Sequence, residues 1–266
     1  MKYHKWLKKE NIADKIPPFH YGQDAIKKED GLLVGVGLHD SSSAIIPYTA
    51  NFTEPFVLLS TGTWSISLNP FNNKQLTFEE LQSDCLCYLQ YIEKPVKAAR
   101  LFSGNVHEVQ TKRLAEHFNL PLDTYKEVYY DKSIAASLKA LNYSIVFSKN
   151  YNLEILKKCN FENRNLNDFK SYEIAYHQLM LDLVEQQVSS TNLIIHNSPV
   201  KKIFVDGGFS KNSLFMNMLA EAYPEIEVYA ASMAQASALG AALAIHQNWN
   251  PKPLQNDLID LKFYKH

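Results

Sequence analysis

Residues 203–222 read IFVDGGFSKNSLFMNMLAEA, and this stretch decides the fold class. Ile203–Val205 is a short apolar run of strand type. Asp206-Gly207-Gly208-Phe209-Ser210 breaks it as a loop, and Asn212–Ala222 then carries a helical pattern. Two glycines at a strand end let a ligand approach the backbone closely, and the helix behind them offers free N–H groups. Asn212, in the first turn, is placed to hydrogen-bond a base or ribose. A dinucleotide-binding fingerprint does not fit: Gly207 and Gly208 are adjacent, and GVGLHD puts His39-Asp40 where a third glycine should stand.

Downstream, Ile226–Ala230 reads as a strand. Ala236–Ile245 reads as a helix of small residues, SALGAALA, that must pack closely against a neighbour. Upstream, Tyr172–Thr191 is the clearest helix: Tyr176, Met180, Val184 and Val188 repeat every four residues, widened by Leu179 and Leu183. Helices are also expected over Lys97–Phe118 and Lys132–Leu141, with a strand at Tyr143–Phe147. Phe56–Ser60 and Trp64–Leu68 form a hairpin about Thr61-Gly62-Thr63. Residues 1–30 give a short amphipathic helix, with Tyr3, Trp6 and Leu7 on one side, that stops before Pro17-Pro18. Leu32–Val36 suits a buried strand. Asp40 can cap a helix over Ser41–Ile46. A hairpin followed by alternating strands and helices indicates an α/β domain built on a mixed sheet flanked by helices.

Three segments carry chemistry. Asp40 stands at a strand end, where a carboxylate can take the proton of a substrate hydroxyl as it attacks phosphorus; taken alone it reads first as a helix cap. The LSTGTWS turn can present N–H groups and hydroxyls to phosphate oxygens. It lacks the GK[ST] ending of a Walker A loop, and alone it is a plain hairpin. The third is VDGGFSKN.

The chain has 266 residues, 46% hydrophobic and 21% charged, the balance of a soluble globular protein. A net charge of −1 gives no electrostatic reason to expect nucleic acid or an anionic membrane as partner. Cys85, Cys87 and Cys159 show neither a disulfide framework nor zinc-site spacing, and read as reduced thiols. The start, MKYHKWLKKEN, has no apolar signal-peptide region, and no run approaches the roughly 20 apolar residues of a membrane span. A cytoplasmic location is expected.

GLHDSSSAIIPY, FVLLSTGTWSISLNPF, VDGGFSKNSLFMNMLAE and ASALGAALA together resemble the C-terminal half of the FGGY carbohydrate kinases, nearest the rhamnulokinase/fuculokinase branch. The resemblance runs from about residue 1 to about 247. It implies an actin-like ATPase fold of RNase H-like domains, and transfer of the γ-phosphate of Mg-ATP to a sugar hydroxyl. Carried over by motif, Asp40 is the catalytic base, with His39 and Ser41 near the sugar. Thr61, Gly62 and Thr63 form the second phosphate loop. Gly207, Gly208 and Asn212 belong to the adenosine motif, and Gly104 matches a glycine near the nucleotide.

Residues 1–50 then read as the end of the N-terminal kinase domain, 51–247 as the C-terminal domain and 248–266 as a tail. The family's first phosphate loop, its Mg²⁺-positioning carboxylate and most sugar-binding side chains belong to an N-terminal body not found upstream of Asp40. The expectation is a sugar kinase half with little or no activity alone. Its partners would be ATP, Mg²⁺, a ketose of the rhamnulose or fuculose type (xylulose next) and a separately encoded N-terminal half. That half would cover an apolar patch of Trp6, Leu32, Val34 and Ile45-Ile46. The alternative is a non-catalytic nucleotide-binding or interaction module.

Overall fold

The central strands, Phe56–Thr61 and Lys202–Gly207, carry continuous apolar runs, and the pleat sends their successive side chains to opposite faces of one sheet. The computed structural model describes residues 3–141, 153–233, 235–253 and 258–265. It opens with α1 (Lys5–Lys9), a two-stranded ribbon of β1 (Ala25–Lys27) and β2 (Leu33–Gly35), and the short helices α2 (Asp40–Ala44) and α3 (Ile46–Asn51). The hairpin β3 (Phe56–Thr61) and β4 (Ser65–Asn69) follows, then α4 (Phe78–Gln82), β5 (Cys85–Leu89), β6 (Pro95–Leu101) and α5 (Ser103–Phe118). Helices α6 (Lys132–Leu141), α7 (Leu153–Lys157) and α8 (Tyr172–Ile195) precede β7 (Lys202–Gly207) and α9 (Ser213–Ala222). The chain continues through β8 (Glu227–Ser232), α10 (Ala236–Ala244), α11 (His246–Trp249) and β9 (Asp260–Tyr264).

Seven strands pair in the order β5-β6-β4-β3-β7-β8-β9. β3, β7 and β8 run parallel, and α9 makes the crossover that parallel neighbours require; the remaining pairs are antiparallel. Val57, Leu59, Ile203, Val205, Val228 and Ala230 belong to the larger core with α8 and α9. Their alternates Phe56, Leu58, Phe204 and Ala231 join Ile45 and Tyr48 in a second cluster on the other face. Each large apolar side chain buried this way stabilises the fold by about 1.5–3 kcal/mol.

The four-residue stripe of α8 is buried throughout, as its spacing predicts. The helix runs past Thr191 to Ile195 because its end is satisfied from the sheet: Asn69 Nδ2 and Asn72 Nδ2 both donate to the Ile194 carbonyl, at 2.9 and 2.8 Å. Among the described residues no helix is long and apolar enough to cross a membrane.

Several local expectations are corrected. Lys97–Leu101 is strand, not helix; it pairs with β4 and β5, and the helix starts only after Phe102. Burying Lys97 in that strand is possible because Glu80 takes its ammonium at 2.5 Å. Leu33–Gly35 is a strand but not a buried one. It pairs with β1 alone, outside the main sheet, leaving Leu33 and Val34 each 38% exposed. His39 rather than Asp40 caps α2: His39 has extended backbone and its Nδ1 accepts from the Ser41 N–H, while Asp40 is the first helical residue. Trp6, Leu32 and Val34 are exposed, but Ile45 and Ile46 are fully buried in separate clusters beside the sheet. The strand expected at Tyr143–Phe147 lies outside the described residues. Within the stretch read as a tail, β9 adds an edge strand to the sheet.

Candidate active site

Asp40 is fixed through the backbone of its helix. Gly240 of α10 lies so close to α2 that a Cβ there would stand 1.8 Å from the Ser43 carbonyl oxygen. Ser43 Oγ donates to the Ser237 carbonyl at 2.9 Å, and Ser237 Oγ donates to the Asp40 carbonyl at 3.4 Å. The small-residue helix therefore packs against the segment that carries the carboxylate. The carboxylate itself is 79% exposed. Its Oδ1 accepts from the Ser41 N–H at 2.6 Å and from Ser41 Oγ at 3.3 Å. His39 Nδ1 lies 3.1 Å from the same oxygen, and the ring stacks on Tyr88 with centroids 4.9 Å apart.

The two glycine loops meet because β3 and β7 are parallel neighbours, with Thr61 in register with Gly207. Loops leaving the carboxyl ends of adjacent parallel strands open on the same sheet edge, the usual place for a ligand crevice in α/β folds. Thr61 joins them. Its Oγ1 donates to the Asp206 carbonyl at 2.5 Å and accepts from the Phe209 N–H at 3.0 Å; its own carbonyl accepts from the Gly208 N–H at 2.9 Å. Gly207 has φ +87°, and a Cβ on it would come within 1.8 Å of the Thr61 carbonyl oxygen. Desolvation pushes the Asp206 carboxyl above the usual range, against the pull of the Gly207 N–H.

Gly104, at the start of α5, closes on the hairpin from the other side. A Cβ there would sit 1.9 Å from the Gly62 carbonyl oxygen, and the Asn105 N–H donates to the Thr63 carbonyl at 3.2 Å. Two segments far apart in sequence thus close on the Thr61-Gly62-Thr63 turn, one against Thr61 and the other against Gly62.

A recess of about 270 Å³ is lined by Asp40, Ser41, Thr61, Gly62 and Thr63. Gly62 also lines a cleft of about 770 Å³, together with Gly104, His107, Tyr125, Gly208 and Asn212. The expected site residues are brought together in these two hollows, with two exceptions. His39 stands beside Asp40 but lines neither hollow, and Gly207 shapes the turn behind Gly208.

Asn212 is held by the protein itself. Its Oδ1 accepts from the Phe215 N–H at 3.1 Å as the cap of α9, and its Nδ2 donates to the Tyr176 hydroxyl at 2.7 Å. The Tyr176 hydroxyl lies 3.0 Å from His107 Nε2. The Tyr176 oxygen, which accepts from Asn212, thus links the cap of α9 to His107 in one hydrogen-bonded chain. Burial pushes the His107 imidazole down to about 4, so it stays neutral. Sequence reading missed His107, Tyr125 and Tyr176. The one local signal was the position of His107, one helical turn after Gly104; nothing local tied it to Tyr176, 69 positions on.

No curated protein matches the chain. Solved structures do. A carbohydrate kinase from Novosphingobium aromaticivorans superposes with a TM-score of 0.67 at 19% identity, over 99% of this chain and 56% of that one. Ligand-bound xylulose kinase from Lactobacillus acidophilus gives 0.70 at 11% identity, over 99% and 56%. Glycerol kinase from Plasmodium falciparum, solved with ADP, gives 0.59 at 15% identity, over 94% and 52%. At such identities the likeness is one of fold, the actin-like ATPase fold, and the chain spans a little over half of each of these proteins. Residues 93–246, more than half of the chain, match the FGGY family of carbohydrate kinases, C-terminal domain. On that match the chain belongs to the FGGY family of carbohydrate kinases.

Proposed function

We propose that this chain carries the catalytic base and the nucleotide-binding wall of an ATP-dependent sugar kinase. The observation that carries the reading is the shared position of Gly62. It lines the recess that holds Asp40 and also the cleft bounded by Gly104, Gly208 and Asn212. A hydroxyl held at Asp40 and a polyphosphate held along the cleft would therefore meet at the Thr61-Gly62-Thr63 turn.

In this reading the sugar oxygen attacks the γ-phosphorus, its proton passes to Asp40, and the bond to the ADP oxygen breaks. Ser41 orients the Asp40 carboxylate, and His39 borders the sugar. Thr61 holds the phosphate turn against the loop of Gly207 and Gly208. Among the described residues no group of three or more His, Cys, Asp or Glu side chains is placed to hold a metal ion. Mg²⁺ accompanies ATP in such kinases and would neutralise charge on the transferred phosphate.

The active unit includes an FGGY N-terminal domain, on the same or a separate polypeptide. The exposed Trp6, Leu32, Leu33 and Val34 support a covering partner there. The substrate class is a ketose, of the rhamnulose or fuculose type first and xylulose next, and the setting is the cytoplasm. The test is ADP release from these ketoses by the chain completed with such a domain, with and without Asp40→Asn. Loss of about 100-fold or more in kcat with ADP affinity kept is the expected result. Turnover largely intact in the variant would remove Asp40 from the base role. No turnover with any ketose, despite ADP binding, would leave a nucleotide-binding module.

A further inference from the structure

The cleft assigned to the nucleotide has a wall from outside the family match. Besides residues 62–213, it is lined by Lys262 and Tyr264 of β9, well beyond the matched residues 93–246. Resting on the nucleotide reading above, we propose that Lys262 contacts the phosphate groups of the bound nucleotide, making β9 an affinity-setting strand.

Charge is the first argument. Among the described lining residues are three lysines, Lys126, Lys211 and Lys262, and no aspartate or glutamate. His107, the remaining titratable nitrogen there, is kept neutral by burial. Among the described residues none of the three ammonium groups is held in an ion pair. A cleft whose lining charges are of one sign concentrates anions.

Register is the second. β9 runs antiparallel to β8, with Lys262 opposite Ala230 and Tyr264 opposite Val228. Ala230 and Val228 belong to the core that includes α9, so Lys262 and Tyr264, two residues apart, share that face. The intervening Phe263 turns the other way, its ring centroid 5.2 Å from that of Tyr229. Tyr264 packs against the core, and the Lys262 ammonium sits 4.9 Å from its ring centroid, which limits the directions the lysine takes. A lysine on an edge strand commonly serves only to block pairing with other chains. That role has no need of a place in the cleft.

The test is titration of the 266-residue chain with ADP and with adenosine, comparing Lys262→Ala with Lys265→Ala, an exposed neighbour outside the cleft. Thermal melts confirm that each variant folds. The expected result is a loss of about fivefold or more in ADP affinity for Lys262→Ala, shrinking at high salt, with adenosine and the Lys265 variant unchanged. ADP affinity within about twofold of the parent would reduce Lys262 to edge protection and overturn the proposal. Equal losses for ADP and adenosine would overturn the phosphate contact as well. If the parent chain binds neither ligand, the nucleotide reading itself fails, and this inference with it.

Discussion

The Cα of Gly240 rests against the backbone of Ser43, three residues after Asp40, with no room for a methyl group between the two helices. Across this contact α10 sets the position of α2 and of the carboxylate at its start. Gly240→Ala must push the helices apart and break the hydrogen bond from Ser43 Oγ to Ser237. A loss of about 2–3 kcal/mol is expected, read from the urea midpoint of the purified chain. Unchanged stability would mean that α2 shifts freely, and that Asp40 is not held by this joint.

Gly207 combines a left-handed backbone with contact to the Thr61 carbonyl. Gly207→Ala adds conformational strain to a clash, and about 2 kcal/mol or more should be lost. The same change displaces the Gly208 and Phe209 N–H groups from Thr61. ADP binding should therefore weaken more than in Gly37→Ala, where a Cβ meets nothing within 4 Å. Calorimetric titration of both variants compares the two positions.

His107 makes stability depend on pH in a defined window. Its imidazole titrates near 4 in the fold, against an ordinary value of 6.5, because burial penalises the cation. The unfolded chain therefore binds the extra proton first. The stabilisation is complete above about pH 6.5 and is lost as pH falls towards 4, by about 3 kcal/mol in all. His107→Gln, which keeps a polar partner for Tyr176 without a group that titrates, should flatten the acid limb of a stability-versus-pH curve. An unchanged limb would show that other groups govern it.

Arg164 neutralises a charge with no access to water. Its Nε and Nη2 donate to the Asp182 carboxylate at 2.6 and 2.9 Å, and the Asp182 side chain is 0% exposed. Desolvation raises the Asp182 carboxyl, and Arg164 opposes that rise. Arg164→Ala should cost about 3–5 kcal/mol by stranding the carboxylate. The double change Arg164→Met with Asp182→Leu should recover most of it, because the penalty lies in the unpaired charge rather than in the lost pair. Chemical denaturation of the three proteins checks the order.

Most of the core is legible in the sequence. The short apolar runs Phe56–Leu59 and Ile203–Val205, and a period of four along α8, follow from strand and helix geometry, and both are realised. The errors fell where a local pattern had two continuations. EVQTKRLAEHF is helical, and extending that helix back to Lys97 ignored the partners waiting in β4 and β5. Leu33 and Val34 have strand composition, but composition does not say whether a second layer will cover them.

The sequence alone determined the hairpin, the strands on either side of the second glycine turn, the glycine turns themselves, their order along the chain and the family they resemble, because sterics and periodicity act over a few residues. The tertiary structure decided that Asn212 is committed to Tyr176, and through it linked to His107, and that β9 walls the cleft. It also decided that Thr61, Gly104 and Gly207 crowd one turn. Those outcomes depend on which strands become neighbours and on how closely two backbones approach. Such contacts join residues tens to nearly two hundred positions apart, beyond the reach of any local pattern.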